Sequence, residues 1–419
     1  MLKKLIVIMA VLALVAGTAF AQPNMGGQLM IGTTLLTGES TEDSDIMMGG
    51  LQYHEAKISA TFGDSKGGGK LVFTSGTDNA YGGGLGTGFV RTWGFLYWRP
   101  VAQFRMQVGV NADGDYGAAQ ISGWGFTGEA KNSVGAISDY MNWGGGNEWW
   151  PLWIFQSALT RKGNAFYPGT GDLANVNFSI FPVEGMVAHL IFPIGGGVKD
   201  SGDGAAQEVQ NQLADFHFNL KYTFEEAGLL NIAFVGKGGL GKDKEKEESI
   251  GNLHASFYLN AIQGMGIELG LVYGLPWETE GGLANDGFLG VGAGFRFDDG
   301  GPFTFKLRAN ARLMGKANDK DMNTVIYANI LPCYKINNNV WAFLYAGLGM
   351  EMFDNEEFSG SRMGWFINPY VWVRAAEGLR FWSGLQIYQD GRRAGKFGST
   401  ASADSPVIWR VPFGFNFYF

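Results

Sequence analysis

The chain has 419 residues, 66 of them Gly, with 14% aromatic, only 17% charged and a formal net charge of −8. That much Gly excludes a helix-rich fold, since each Gly inside a helix costs about 1 kcal/mol relative to Ala, and the density of Phe, Trp and Tyr excludes low-complexity disorder. The acidic balance excludes a generally basic nucleic-acid binder, and a single cysteine, Cys333, excludes an intrachain disulfide framework.

Residues 1–21 read as a secretory signal. Lys3 and Lys4 precede an apolar run over 5–16, and Ala19-Phe20-Ala21 is a small-x-small cleavage site. The mature chain is expected to start at Gln22, and no Cys follows to suggest a lipoprotein. Beyond the signal no apolar stretch reaches the roughly 20 residues of a membrane helix. A mature chain in a membrane must then be a closed barrel, the other structure that satisfies its backbone groups in lipid.

Strand-like runs recur along the whole of residues 22–419, which read as one domain. In 102–110, 216–224 and 303–313 one face is apolar and the other polar or basic. In the last of these, a slip by one residue would put Lys306, Arg308 and Arg312 on the apolar face, at roughly 2–4 kcal/mol each in lipid. Short turns follow from Pro182-Val183-Glu184-Gly185, Glu225-Glu226-Ala227-Gly228, Ile262-Gln263-Gly264 and Ala376-Glu377-Gly378. Asp298 to Gly301, Ile336 to Asn339 and Trp98-Arg99-Pro100-Val101 are read the same way. Long connectors rich in Gly, Asp, Glu and Ser alternate with them, at 38–50, 111–172, 195–213, 237–250, 276–287, 315–322, 351–363 and 390–405. The prediction is an all-β, antiparallel up-and-down barrel of about 18 strands, with 16 as the alternative count. A soluble sandwich or propeller would carry more charge on its outer faces and has no reason to alternate long and short connections.

The final stretch, 407–419, carries Val407, Trp409, Val411, Phe413, Phe415, Phe417 and Phe419 on one face. Its other face is Ile408, Arg410, Pro412, Gly414, Asn416 and Tyr418. An apolar stripe running to a terminal Phe resembles the closing strand of bacterial outer-membrane β-barrels, and the chain as a whole resembles porins. The resemblance implies short periplasmic turns, long extracellular loops, both termini at the periplasmic end, and a place in the outer membrane of a diderm bacterium. It also implies a partner, the barrel assembly machinery, with Phe413, Phe415, Phe417 and Phe419 as the signal read. Trp98, Tyr273, Trp277, Tyr334, Trp341, Trp365 and Trp409 lie near predicted strand ends, where interfacial aromatic girdles are expected.

The longest connector, 111–172, holds Trp124, Trp143, Trp149, Trp150 and Trp153 and follows the fifth predicted strand. In porins the loop at that place folds inward and narrows the channel. An extracellular cap, or an extra hairpin within 149–161, fits the sequence equally. Asn111-Ala112-Asp113-Gly114-Asp115 lacks the Gly and Glu that a calcium loop needs at its sixth and twelfth positions, occupied here by Tyr116 and Ser122. His54, His189, His217 and His254 are scattered, and no G-x-S-x-G element occurs. No metal, cofactor or enzymatic activity is expected.

Acids gather in the long connectors, as at Glu42, Asp43, Asp45, Asp200, Asp203, Glu356 and Glu357. The polar faces of the predicted strands carry Lys57, Arg105, Lys221, Lys306, Arg308, Arg312, Arg374, Arg380 and Arg410, opposed mainly by Glu55 and Glu268. These nine bases are the pore-lining candidates, and a low-dielectric wall of one sign focuses a field that favours anions. Alternatively they pair with acids of the long connector, such as Glu129, Asp139 and Glu148, leaving little net field. Three readings stay open: a passive channel for small hydrophilic solutes, a plugged barrel carrying a specific or hydrophobic ligand, and a structural barrel acting through its loops. The oligomeric state is open.

Overall fold

A computed structural model describes residues 24–40, 47–48, 51–78, 89–110, 174–193, 217–225, 227–236, 251–274, 277–278, 284–285, 288–314, 316–317, 320–321, 324–354, 359–389 and 407–419. The expected signal at 1–21 and the Trp-rich connector at 111–172 lie outside these residues. Eighteen barrel strands follow one another: β1 (Asn24–Glu39), β2 (Leu51–Gly63), β3 (Gly67–Asp78), β4 (Phe89–Val101), β5 (Phe104–Val110), β6 (Ala174–Ile180), β7 (Met186–Pro193), β8 (His217–Phe224) and β9 (Gly228–Gly236). They continue as β10 (Gly251–Leu259), β11 (Met265–Gly274), β12 (Phe288–Asp298), β13 (Phe303–Met314), β14 (Thr324–Asn337), β15 (Val340–Asp354), β16 (Ser359–Ala376), β17 (Leu379–Gly384, resumed after Leu385 as Gln386–Gln389) and β18 (Val407–Tyr418). Each pairs antiparallel with the next, and β18 returns to β1 from Gln28↔Tyr418 to Glu39↔Ile408. Closure leaves no edge, which is what lipid demands of a sheet.

The long and short connections segregate to opposite ends. Six of the turns read from sequence join β6–β7, β8–β9, β10–β11, β12–β13, β14–β15 and β16–β17, and Gly185, Gly264 and Gly378 take φ of 76°, 75° and 75° there. The hairpin from β2 to β3, at 64–66, was not anticipated. The Asp64 carboxylate accepts the Lys66 and Gly67 N–H groups at 2.7 and 3.1 Å, which lowers its pKa below the usual carboxylate value. Two boundaries depart from expectation. The chain does not reverse at Trp98–Val101; β4 runs through Val101 with a register shift after Trp98, and the turn comes at 102–103. Pro100 has no N–H for the ladder and so fits a bulge rather than a regular pair. The connector expected over 351–363 shrinks to 355–358, because β15 and β16 stay in register out to Asp354↔Ser359. That register sets Glu351 opposite Arg362.

Alternation sorts the residues into two faces. Phe73, Leu269, Leu307, Leu313, Leu348 and Phe417 stand exposed on the outside, while residues of the other parity, such as Asn177, His189, Asn231 and Asn416, are buried within. The outside is continuous and apolar, as a lipid-facing wall must be. Leu269, in the middle of β11, is 51% exposed there. Leu269→Arg is expected to cost about 2–4 kcal/mol, read from urea unfolding of the barrel refolded in lipid vesicles; a cost below a few tenths would place this face in water instead.

Candidate functional site

The candidate site is the inner wall. On β5–β9 it is polar: Gln107, Asn177, Ser179, His189, Asn219 and Asn231 are all buried. Ser179 Oγ and His189 Nδ1 share a hydrogen bond of 2.9 Å, Arg105 Nη2 donates to Ser179 Oγ at 3.5 Å, and Asn219 Nδ2 donates to Asn231 Oδ1 at 2.7 Å. The register explains the proximity, since Arg105↔Ser179, Ser179↔His189 and His189↔Asn219 are direct partners across four strands. Ser179 and His189 have no solvent exposure, so the pair offers no reachable nucleophile.

On β15–β18 the inner wall is aromatic. Trp341 meets Trp372 edge-on at 4.4 Å, Phe343 stacks on Tyr370 at 4.8 Å, and Tyr345 meets Phe366 at 4.9 Å. Trp372 is also the register partner of Trp382, which lies flat on Gly414 of β18; a Cβ at Gly414 would collide with the Trp382 ring. All of these rings but the half-buried Trp341 are buried at the wall, and together they form a packed layer. Trp341 was expected in an outer girdle and is here corrected: it shares parity with the buried Phe343 and faces inward. Trp98, Tyr273 and Tyr334, by contrast, are exposed on the outside.

All nine basic candidates fall on inward register positions. Lys57 pairs with Gln28 and Thr74, Arg105 with Ser179, Lys221 with Asn231, and Arg410 with Gln386 and Thr37. Lys306 faces Arg296 and Leu331, and Arg308 and Arg312 keep its parity on β13. Arg374 and Arg380 are direct partners across β16 and β17. Arg374 lies 5.6 Å from the Trp341 ring, and Arg380 is held between Trp372 and Tyr418 at 5.0 Å from each. Arg99 and Arg105 flank Phe181 at 4.8 and 5.8 Å. Such contacts hold a guanidinium in place for about 0.5–1 kcal/mol or more.

Lys70, Arg296 and Lys335 also take inward positions, and sequence reading passed over them. Arg296 is bonded to Asp298 at 2.6 Å. The signal for Lys70 was present, because it alternates with Leu71 and Phe73, but β3 opens on three Gly residues that hide the start of the pattern. Among the described residues no group of three His, Cys, Asp or Glu side chains could hold a metal.

No protein-family description matches the chain, and no curated protein matches it. Solved structures do. The outer membrane protein OpdK of Pseudomonas aeruginosa superposes with a TM-score of 0.52 at 9% identity, over 94% of this chain and 98% of that one. OccAB4 of Acinetobacter baumannii gives a TM-score of 0.50 at 8% identity, over 94% and 98%. The chain has the fold of bacterial outer-membrane β-barrels, and with its apolar outside that places it in an outer membrane.

Proposed function

We propose that this barrel is a porin-like channel for passive diffusion of small hydrophilic solutes, with a weak preference for anions. The observation that carries the reading is the contrast between the two faces of one closed sheet. The outside is apolar, while inward positions hold Asn, Gln, Ser and His side chains and an excess of Lys and Arg. A polar interior has no purpose in a barrel that only anchors loops. The mature chain, 22–419, acts as one domain after loss of residues 1–21, and its partners are outer-membrane lipid, the assembly machinery and the solutes themselves. The long connector at 111–172 is the element proposed to narrow the pore.

The test is planar-bilayer conductance followed by reversal potentials across a KCl gradient. Stable conductance steps with chloride preferred over potassium are expected. Replacing Lys306, Arg308 and Arg312 together with Gln should move the preference toward potassium, because the three share one strand face. A cation-preferring wild type, or a triple variant with unchanged preference, would refute the anion reading. A silent barrel that binds a hydrophobic probe would instead support a plugged carrier.

A further inference from the structure

The inward charges are not spread evenly along the barrel axis. Distance from the short-turn end can be counted along each strand at about 3.3 Å per residue. Arg105 is the second residue of β5 and Arg380 the second of β17. Lys335 and Arg374 stand two residues before the ends of β14 and β16. Lys221 stands three residues before the end of β8, and Lys306 three after the start of β13. All six therefore lie within about 10 Å of the strand ends at the short turns. They come from β5, β8, β13, β14, β16 and β17, and Lys70, three residues after the start of β3, stands at the same level, so together they form a collar that is densest over β13–β17.

The acids of the same face and level do not balance it. Asp298 is bonded to Arg296, which lies in the same band. Glu268 holds an inward register position on β11, opposite Gly294. Toward the other end the inward register positions are even in sign, with four acids, Glu39, Glu55, Asp78 and Glu351, and four bases, Arg91, Arg312, Arg362 and Arg410. The short turns themselves carry Asp64, Glu184, Glu225, Asp299 and Glu377 beside Lys66 and Arg99, so the positive charge at this end belongs to the inward collar and not to the turns.

Neighbouring like charges in the collar are held by rings rather than left to splay. Arg374 and Arg380 face each other in register, one against Trp341 and the other between Trp372 and Tyr418. Arg105 lies beside Phe181. A fixed ring of cations at a low-dielectric opening concentrates small anions there. We propose that the collar is the anion-binding element of the pore, a site for small inorganic and organic anions at the short-turn mouth, and that ion preference is therefore directional. This rests on the channel reading above.

Screening makes the idea measurable. The Debye length is about 30 Å at 0.01 M salt and about 3 Å at 1 M. A collar bathed by the dilute side therefore projects its field across the opening, and one bathed by the concentrated side does not. The full barrel, inserted in a planar bilayer, is measured with the gradient of about 0.01 M against about 1 M KCl applied in both directions. Orientation is reported by streptavidin added to one side of a Glu184→Cys barrel biotinylated at that turn. The chloride-to-potassium permeability ratio should be severalfold higher when the dilute bath faces the short turns. A Lys221→Gln, Lys306→Gln, Lys335→Gln variant should lose that difference; one that kept it in full would overturn the proposal. Chloride preference of equal size in both directions would overturn the collar and leave the channel reading intact, as would a larger preference with the dilute bath at the loops. Potassium preference in both directions would mean that the anion reading itself had failed.

Discussion

Deleting Phe419, or replacing Phe415 and Phe417 together with Asp, is expected to abolish the assembled barrel. The last residue is built into the seam. Gly27 N–H donates to Phe419 O at 2.7 Å and Phe419 N–H donates to Gly27 O at 3.1 Å, so the final backbone groups complete the β18–β1 ladder. The Phe419 ring lies on Gly27, where a Cβ would collide with it, and stacks on Phe417 at 5.9 Å. Phe415 lies 6.1 Å from Phe381 on the neighbouring strand, on the outside. Deletion removes two seam hydrogen bonds and the ring that covers Gly27. The double Asp change puts two carboxylates among lipid-facing aromatics. Loss of the heat-modifiable band from outer-membrane fractions is the readout in cells. Refolding of purified protein separates two causes: if the terminal Phe acts only as a signal for the assembly machinery, the deletion variant will refold normally in detergent. The seam contacts predict that it will refold poorly as well. Gly27→Val, which keeps Phe419 but denies its ring a seat, should show the same refolding defect.

The barrel was legible because lipid and lumen impose opposite chemistry on alternate residues. Where the two faces differ strongly, as in β8 with Phe218, Leu220 and Tyr222 against Asn219 and Lys221, register and orientation followed from the residues alone. The predicted count of about 18 matches the eighteen strands found. Pattern reading fails where both faces are apolar. In Trp341-Ala342-Phe343-Leu344-Tyr345 no parity is polar, and Trp341 was assigned to the wrong side for that reason. The packed aromatic wall was missed with it, since each ring is an ordinary strand residue and only the register brings Trp341, Trp372 and Trp382 into one row. The collar was hidden differently. All its bases but Lys70 and Lys335 were found one strand at a time, but their common level depends on where each turn falls, and the turn before β5 was placed several residues early.

Trp372→Ala is expected to destabilise the barrel by about 3–5 kcal/mol, the usual range for truncating a buried aromatic ring. Trp372 is 1% exposed and sits at the centre of the row, between Trp341 and Trp382, with Arg380 over its face. Its loss would open a cavity that the sheet backbone cannot collapse, because both neighbouring strands are fixed by their ladders. Trp372→Phe separates volume from polarity. The indole Nε1–H of Trp372 is buried with no hydrogen-bond partner, and such a group costs about 1–3 kcal/mol. Phe removes that cost while giving up part of the ring area, worth a similar amount, so the variant should lie within about 1 kcal/mol of wild type. Equilibrium urea unfolding in lipid vesicles, followed by tryptophan fluorescence and gel mobility, measures both. If Trp372→Ala cost no more than Trp372→Phe, the rings would be lying loose against an open lumen. The large gap between the two substitutions is what a wall of interlocked rings requires.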